Sequence, residues 1–268
     1  VGSIKRRFFA FGCSFTRYRW PTWADIVARN FDEFQNWGCT GAGNQYIANS
    51  IVEAHLRNEI KPTDTVGVMW TNVCREDRYV KNQWITPGNI FTQKHYPHEW
   101  VERFADVRGY YIRDLATIYS TEQLLKSIGC RYFFLSMNGI LNSAQYDKVD
   151  DYGLVEDLLP YYALTIHSIK PGVYDVVFKQ DWWSRPYKNK IEVSEDVLNN
   201  PEKSYELRSQ IRQDPHPTPA EHLEYLDEVI PEEYVDPETR DWVAEVDTRL
   251  RRDQDYSIMW QPTQIERW

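Results

Sequence analysis

The sequence predicts an α/β protein built on a parallel sheet. Short, continuous apolar runs recur at residues 5–11, 65–70 and 131–137, the form taken by strands buried on both faces. Segments with helical apolar spacing stand between them, and strands that alternate with helices pair in parallel. The first and third runs pass directly into turn-forming residues, Gly12 and Thr71-Asn72.

In chain order, Phe8-Phe9-Ala10-Phe11 ends at Gly12, where the missing Cβ permits a sharp turn, and Ser14 follows. Thr22 is placed to cap a helix, with Asp25 three residues on in a capping-box position. Trp23, Ile26, Val27 and Phe31 give that helix one apolar face. Residues 34–37 read as a short second strand that runs into the glycine-rich turn Gly38-Cys39-Thr40-Gly41-Ala42-Gly43. A second helix is expected over 44–58, burying Ile47, Ile51, Val52, Ala54 and Leu56. The third strand is 65–70.

Residues 75–108 form a long polar and aromatic stretch with Trp84, His95, His98 and Trp100. Stretches this long usually carry function, and this one reads as an insertion or lid above the sheet. A strong helix over 110–128 closes at Gly129. The fourth strand is 131–137. No last strand stands out between 138 and 210. Thr218-Pro219-Ala220-Glu221 combines an N-cap, a proline at the first helical position and a glutamate at the third. His222 on that helix is expected to be exposed. A further helix begins at Asp236-Pro237 and carries Trp242, Val246 and Leu250. The domain organisation is one domain over 4–230, with insertions at about 75–108 and 138–210, and a C-terminal extension over 231–268 that packs on it.

The 268 residues carry a net charge of −9 without a concentrated run of Lys and Arg, which argues against nucleic acid as a partner. Cys13, Cys39, Cys74 and Cys130 form no C-x-x-C pair, which argues against a structural zinc site and suits reduced thiols in a cytoplasmic protein. No apolar stretch reaches the ~18 residues of a membrane span, and no signal peptide is visible. Trp and Tyr are abundant, at 11 and 18, which suits ligand stacking as well as core packing.

Four loops are expected at one edge of the sheet. They carry Ser14, Gly41, Asn72, and Asp214 with His216. Hydrolysis through serine needs a nucleophile, a base to activate it, a group to orient the base, and donors aimed at the oxyanion. In chain order the constellation resembles the SGNH (GDSL-type) hydrolase superfamily. Gly12-Cys13-Ser14-Phe15, Asn36-Trp37-Gly38-Cys39-Thr40-Gly41, Trp70-Thr71-Asn72 and Asp214-Pro215-His216-Pro217 resemble its four blocks. The chain also resembles SGNH proteins of cyanobacterial tailed phages.

The resemblance implies a three-layer α/β/α sandwich with a flavodoxin-like sheet of about five strands. It implies Ser14 as nucleophile, His216 as base and Asp214 as acid, with Ser14, Gly41 and Asn72 as oxyanion donors. Three departures stand out. Cys13 replaces the usual aspartate, Trp70 the usual glycine, and Asp214 lies two residues before His216, with Gln213 at the commoner position. If Asp214 does not reach His216, a backbone carbonyl takes its place.

The implied activity is ester hydrolysis through an acyl-serine, on an O-acetyl or other short acyl group of a carbohydrate. Neither cofactor nor metal is required. The partner is a small-molecule or glycan ester, with no nucleic acid or membrane, and the oligomeric state stays open. Trp70, Arg75 and Trp84 are candidate substrate contacts. The location would be the cytoplasm, that of the host cell if phage-encoded. The alternatives are an inactive SGNH-fold binding or virion-associated module, and an acyltransferase.

Overall fold

The structure is a computed structural model that describes residues 5–91, 95–140, 155–178 and 216–250. Its sheet has five parallel strands: β1 (Arg7–Phe11), β2 (Glu33–Asn36), β3 (Thr65–Trp70), β6 (Arg131–Ser136) and β7 (Ile169–Gly172). Their spatial order is β2-β1-β3-β6-β7. The chain winds first one way from β1 to β2, then back across β1 to β3. Right-handed crossovers therefore put α1 (Trp23–Ala28) and α2 (Asn44–Asn58) on opposite faces. The reversal opens a crevice at the carboxyl ends of β1 and β3, the position where folds of this kind bind ligands.

On one side α1 packs with α7 (Pro219–Val229), which also meets the short α6 (Val173–Val176) and holds α8 (Pro237–Thr248). On the other, α2 packs with α4 (Val107–Ile128), and α4 with α5 (Leu159–His167). Among the described residues no helix is long and apolar enough to cross a membrane.

The local signals act as the sequence implies at most helix ends. Thr22 and Asp25 form a capping box on α1, and Thr218 and Glu221 form one on α7. Gly129 closes α4 in the left-handed conformation, φ 76°. Asp106 caps α4 by accepting from the Gly109 N–H, so this helix begins before residue 110.

Four expectations change. First, a last strand exists. β7 has four residues and contains Pro171, and its pairing with β6 is irregular. An edge strand tolerates the missing N–H of a proline, and so short a run leaves no apolar pattern to read. Second, Val52 and Leu56 are exposed, because α2 buries the narrower stripe of Ile47, Ile51 and Ala54. Third, His222 is only 1% exposed. It shares the inner face of α7 with Tyr225, Leu226 and Val229, one helical turn apart. Fourth, residues 75–108 are structured where described. They hold an antiparallel hairpin of β4 (Arg78–Val80) and β5 (Gln83–Ile85), then α3 (His98–Phe104). Lys81 and Asn82 turn the hairpin with positive φ, 51° and 62°, as a two-residue turn of this hand requires.

The core under β1 is aromatic. Phe8 stacks on Phe31, Phe34 and Phe133, and meets Trp23 edge-on. Gly67 in β3 faces this cluster. A Cβ there would lie 2.7 Å from the Phe133 ring and 2.9 Å from Trp23. Gly67→Val is therefore expected to destabilise the fold by about 1–3 kcal/mol through overpacking. Chemical denaturation would measure it, and an unchanged midpoint would contradict the packing described.

Candidate active site

The site begins where β1 ends. Gly12 sits so close to the next turn that a Cβ would fall 1.9 Å from Thr16 Oγ1 and 3.1 Å from the Met69 carbonyl oxygen. Only glycine fits. The chain then closes a tight turn, with the Thr16 and Arg17 N–H groups donating to the Cys13 carbonyl at 2.9 and 3.2 Å. Thr16 is fully buried and anchors that turn. Its carbonyl accepts from Thr22 Oγ1 and Asn36 Nδ2 at 2.7 and 2.8 Å, and its hydroxyl accepts from Trp23 Nε1 at 3.2 Å. Cys13 points inward, its sulfur 4.0 Å from Met137 Sδ. Ser14 is left nearly buried at the head of the turn, 8% exposed.

His216 stands directly before α7. Its Nε2 is 2.8 Å from Ser14 Oγ. The ring is held on its faces by residues the sequence reading did not single out. Tyr18 stacks on it at 3.7 Å between ring centroids, 15° from parallel. Phe15 meets it edge-on at 5.3 Å. Trp20 packs against Tyr18 and donates its indole N–H to the Pro217 carbonyl at 2.7 Å. The signal lay in the sequence as Phe15, Tyr18 and Trp20 just after the serine, but nothing local ties that cluster to a histidine two hundred residues away. Asp214 and Gln213 lie outside the described residues.

Gly41 and Asn72 follow β2 and β3, the strands on either side of β1. Gly41 has φ +75°, and a Cβ there would lie 2.1 Å from the Thr86 carbonyl oxygen. Thr86 in turn donates its hydroxyl to the Thr40 carbonyl at 2.7 Å, so the segment following β5 closes on the glycine turn. Asn72 follows β3 and is 4% exposed. Its Oδ1 accepts from the Cys74 N–H at 2.7 Å, which orients the amide. Its neighbour Thr71 is clamped to Asn44, the first residue of α2. The Thr71 N–H donates to Asn44 Oδ1 at 2.9 Å, and Asn44 Nδ2 donates to the Thr71 carbonyl at 3.1 Å.

A buried polar network stands behind these two loops. Asn44 Nδ2 also donates to Asp114 Oδ2 at 2.9 Å. Arg113 pairs with Asp114 at 2.7 Å and with Glu76 at 3.1 Å, and donates to the Arg75 carbonyl at 2.8 Å. Asp77 accepts from the Gly43 and Tyr46 N–H groups, capping α2 at the end where positive partial charge collects. Burial pushes the carboxyl groups of Asp77 and Asp114 up, against the hydrogen bonds and cations beside them; Asp114 reaches about 6. This network was not legible in the sequence, because its members are spread from residue 43 to 114.

The three candidate substrate contacts separate. Trp70 is wholly buried and packs edge-on against Phe134, so it belongs to the core and does not reach a ligand. Trp84 is half-buried between Tyr46 and Tyr79, bracing the hairpin on α2. Arg75 is half-buried beside the glycine turn, its Nη1 donating to the Ala42 carbonyl at 2.8 Å and its Nη2 lying 3.5 Å from Met137 Sδ. Of the three, Arg75 is the one that bonds to the glycine turn.

No family model matches the chain, and no curated protein matches it. Among solved structures, the chain is similar to a member of the lipolytic protein G-D-S-L family from Veillonella parvula DSM 2008. The identity is 16%, the match covers 78% of this chain and 100% of that one, and the TM-score is 0.39. It is also similar to a mutant of an acetyl-xylooligosaccharide esterase from Geobacillus Stearmophilus. There the identity is 15%, the coverage 88% and 98%, and the TM-score 0.43. Both likenesses are too distant to carry any chemistry across.

Asp114 holds its proton more tightly in the folded than in the unfolded chain. Its contribution to stability is therefore fullest below its ordinary range and declines as pH rises through about 6. The stability of the wild type relative to Asp114→Asn is expected to fall by up to about 3 kcal/mol between about pH 4 and pH 7. Urea denaturation of both proteins at the two pH values measures this, and a pH-independent difference would contradict it.

Proposed function

We propose that this protein is a serine esterase of SGNH type, acting through an acyl-serine intermediate. The observation that carries the reading is the 2.8 Å contact between Ser14 Oγ and His216 Nε2, at the crevice where the sheet reverses its winding. With Nε2 unprotonated, the Ser14 hydroxyl donates to it. His216 then takes that proton as Ser14 attacks an ester carbonyl. The proton passes to the leaving alcohol, and a water activated by the same imidazole releases the acid. The backbone N–H groups of Ser14 and Gly41 and the side-chain amide of Asn72 are the proposed oxyanion donors. Asp214 remains the proposed acid partner of His216, on the resemblance alone.

A rigid arrangement of this kind favours the transition state because its dipoles need no reorganisation during the reaction. Support for rigidity comes from Gly12 and Gly41, neither of which has room for a side chain, and from the Thr16 and Asn44 hydrogen bonds. The finer proposal is that the ester is a short acyl group on a carbohydrate. It rests on the aromatic side chains around the insertion.

Two measurements test the reading. Wild type is expected to turn over p-nitrophenyl acetate and to be labelled at Ser14 by a fluorophosphonate probe, and Ser14→Ala to lose both. Equal rates from the two proteins would sink it. Trp20→Phe keeps the ring against Tyr18 but removes the indole donor to Pro217. It is expected to lower kcat by roughly tenfold, the worth of about one hydrogen bond, with little effect on KM. Steady-state kinetics reads this directly, and an unchanged kcat would show that Pro217 needs no such anchor.

A further inference from the structure

The insertion and the start of α4 enclose a second cleft, of about 510 Å³, lined by Glu76, Arg78, Trp100, Phe104, Asp106 and Arg113, with Tyr110 at its base. A volume of this size is that of a small-molecule site. Its charges are already matched. Glu76 bridges both cations, at 2.7 Å to Arg78 and 3.1 Å to Arg113. With Asp106 as the second carboxylate, the lining carries two charges of each sign. The guanidinium groups also lie over rings, Arg78 over Trp100 at 5.8 Å and Arg113 over Tyr110 at 4.5 Å.

The remaining surface is aromatic and open. Trp100 stacks on Tyr96 at 4.8 Å, and Phe104 tilts against Trp100 at 5.4 Å while staying 57% exposed. A cleft without net charge gives an anion or a cation no advantage. It combines flat apolar rings with fixed donors and acceptors, and so suits a neutral ligand that has one apolar face and a rim of hydroxyls. A pyranose ring has that shape: its C–H face meets an aromatic ring while its hydroxyls bond to guanidinium and carboxylate edges.

The cleft is joined to the end of β3 by a short stretch of chain. Glu76 lies four residues after Asn72, a chain length that spans at most about 14 Å. The 73–78 loop thus meets the glycine turn, where Arg75 contacts Ala42, and lines the cleft through Glu76 and Arg78.

We propose that this cleft is a sugar-binding subsite, which holds a neutral pyranose unit of a glycan whose esterified unit lies at Ser14. The proposal rests on the esterase reading for its purpose, but not for its test. Neutral cello-, xylo- and chito-oligosaccharides are titrated calorimetrically into the full-length Ser14→Ala protein, and into the same protein carrying Phe104→Ala or Trp100→Ala. At least one sugar is expected to bind at millimolar concentration, and each aromatic substitution to weaken it by about tenfold. Separately, turnover of p-nitrophenyl acetate, an ester without a sugar, by the wild type reads the Ser14 site independently of the cleft.

Failure of all three sugars to bind, or binding that neither substitution alters, would overturn the subsite. Sugar binding lost in Phe104→Ala supports it whether or not the wild type hydrolyses p-nitrophenyl acetate. Absence of that hydrolysis would count against the esterase reading alone.

Discussion

The turn from Gly12 to Arg17 governs the candidate site. Gly12 is pressed against Thr16 and the Met69 carbonyl, and this contact forces the chain out of β1 at one angle. Thr16 then accepts from Thr22, Asn36 and Trp23, which ties the turn to α1 and to the end of β2. The Gly12 carbonyl accepts from the Cys39 N–H, so the glycine-rich turn is fastened to the same point. Ser14 rides on a segment anchored on both sides, through Gly12 and Thr16. A side chain held this way loses little entropy when it reacts.

A different constraint holds the far side of the crevice. Asn44, Asp114, Arg113, Glu76 and Asp77 form a largely buried polar cluster that fixes the loops after β2 and β3. Burying Asp114 opposes its ionisation, as its raised pKa records. Networks of this type specify one arrangement of the loops, because a half-satisfied alternative leaves charges without partners. In this protein the cluster links the glycine turn, the Thr71-Asn72 pair and α4. Movement of any one loop breaks bonds in the other two.

The aromatic excess divides among separate tasks. Phe8, Phe31, Phe34, Trp23 and Phe133 fill the core beside β1. Phe15, Tyr18 and Trp20 surround the His216 ring and its chain neighbour. Tyr46 and Trp84 hold the hairpin to α2. Trp100 and Phe104 form the open wall of the second cleft, with Tyr96 stacked on Trp100. Composition shows that aromatic residues are abundant, but their division between packing and surface is a property of the assembled chain.

What the sequence determined by itself is local. Apolar runs bounded by glycine or Thr-Asn mark β1, β3 and β6, because strands buried on both faces need uninterrupted apolar side chains. Capping residues mark α1, α7 and α8, because the first N–H groups of a helix need nearby acceptors. Four short blocks in order, read through the resemblance, singled out Ser14, Gly41, Asn72 and His216, and the structure brings the last of these onto the first. The tertiary structure decided the rest. It assigned β7, whose four residues pair only because β6 offers an edge. It buried His222 and exposed Leu56, because a helix face is selected by what packs against it. It turned Trp70 into core and set Tyr18 on His216. Each of these depends on contacts between residues far apart in the chain, and no local pattern of side chains encodes such a distance.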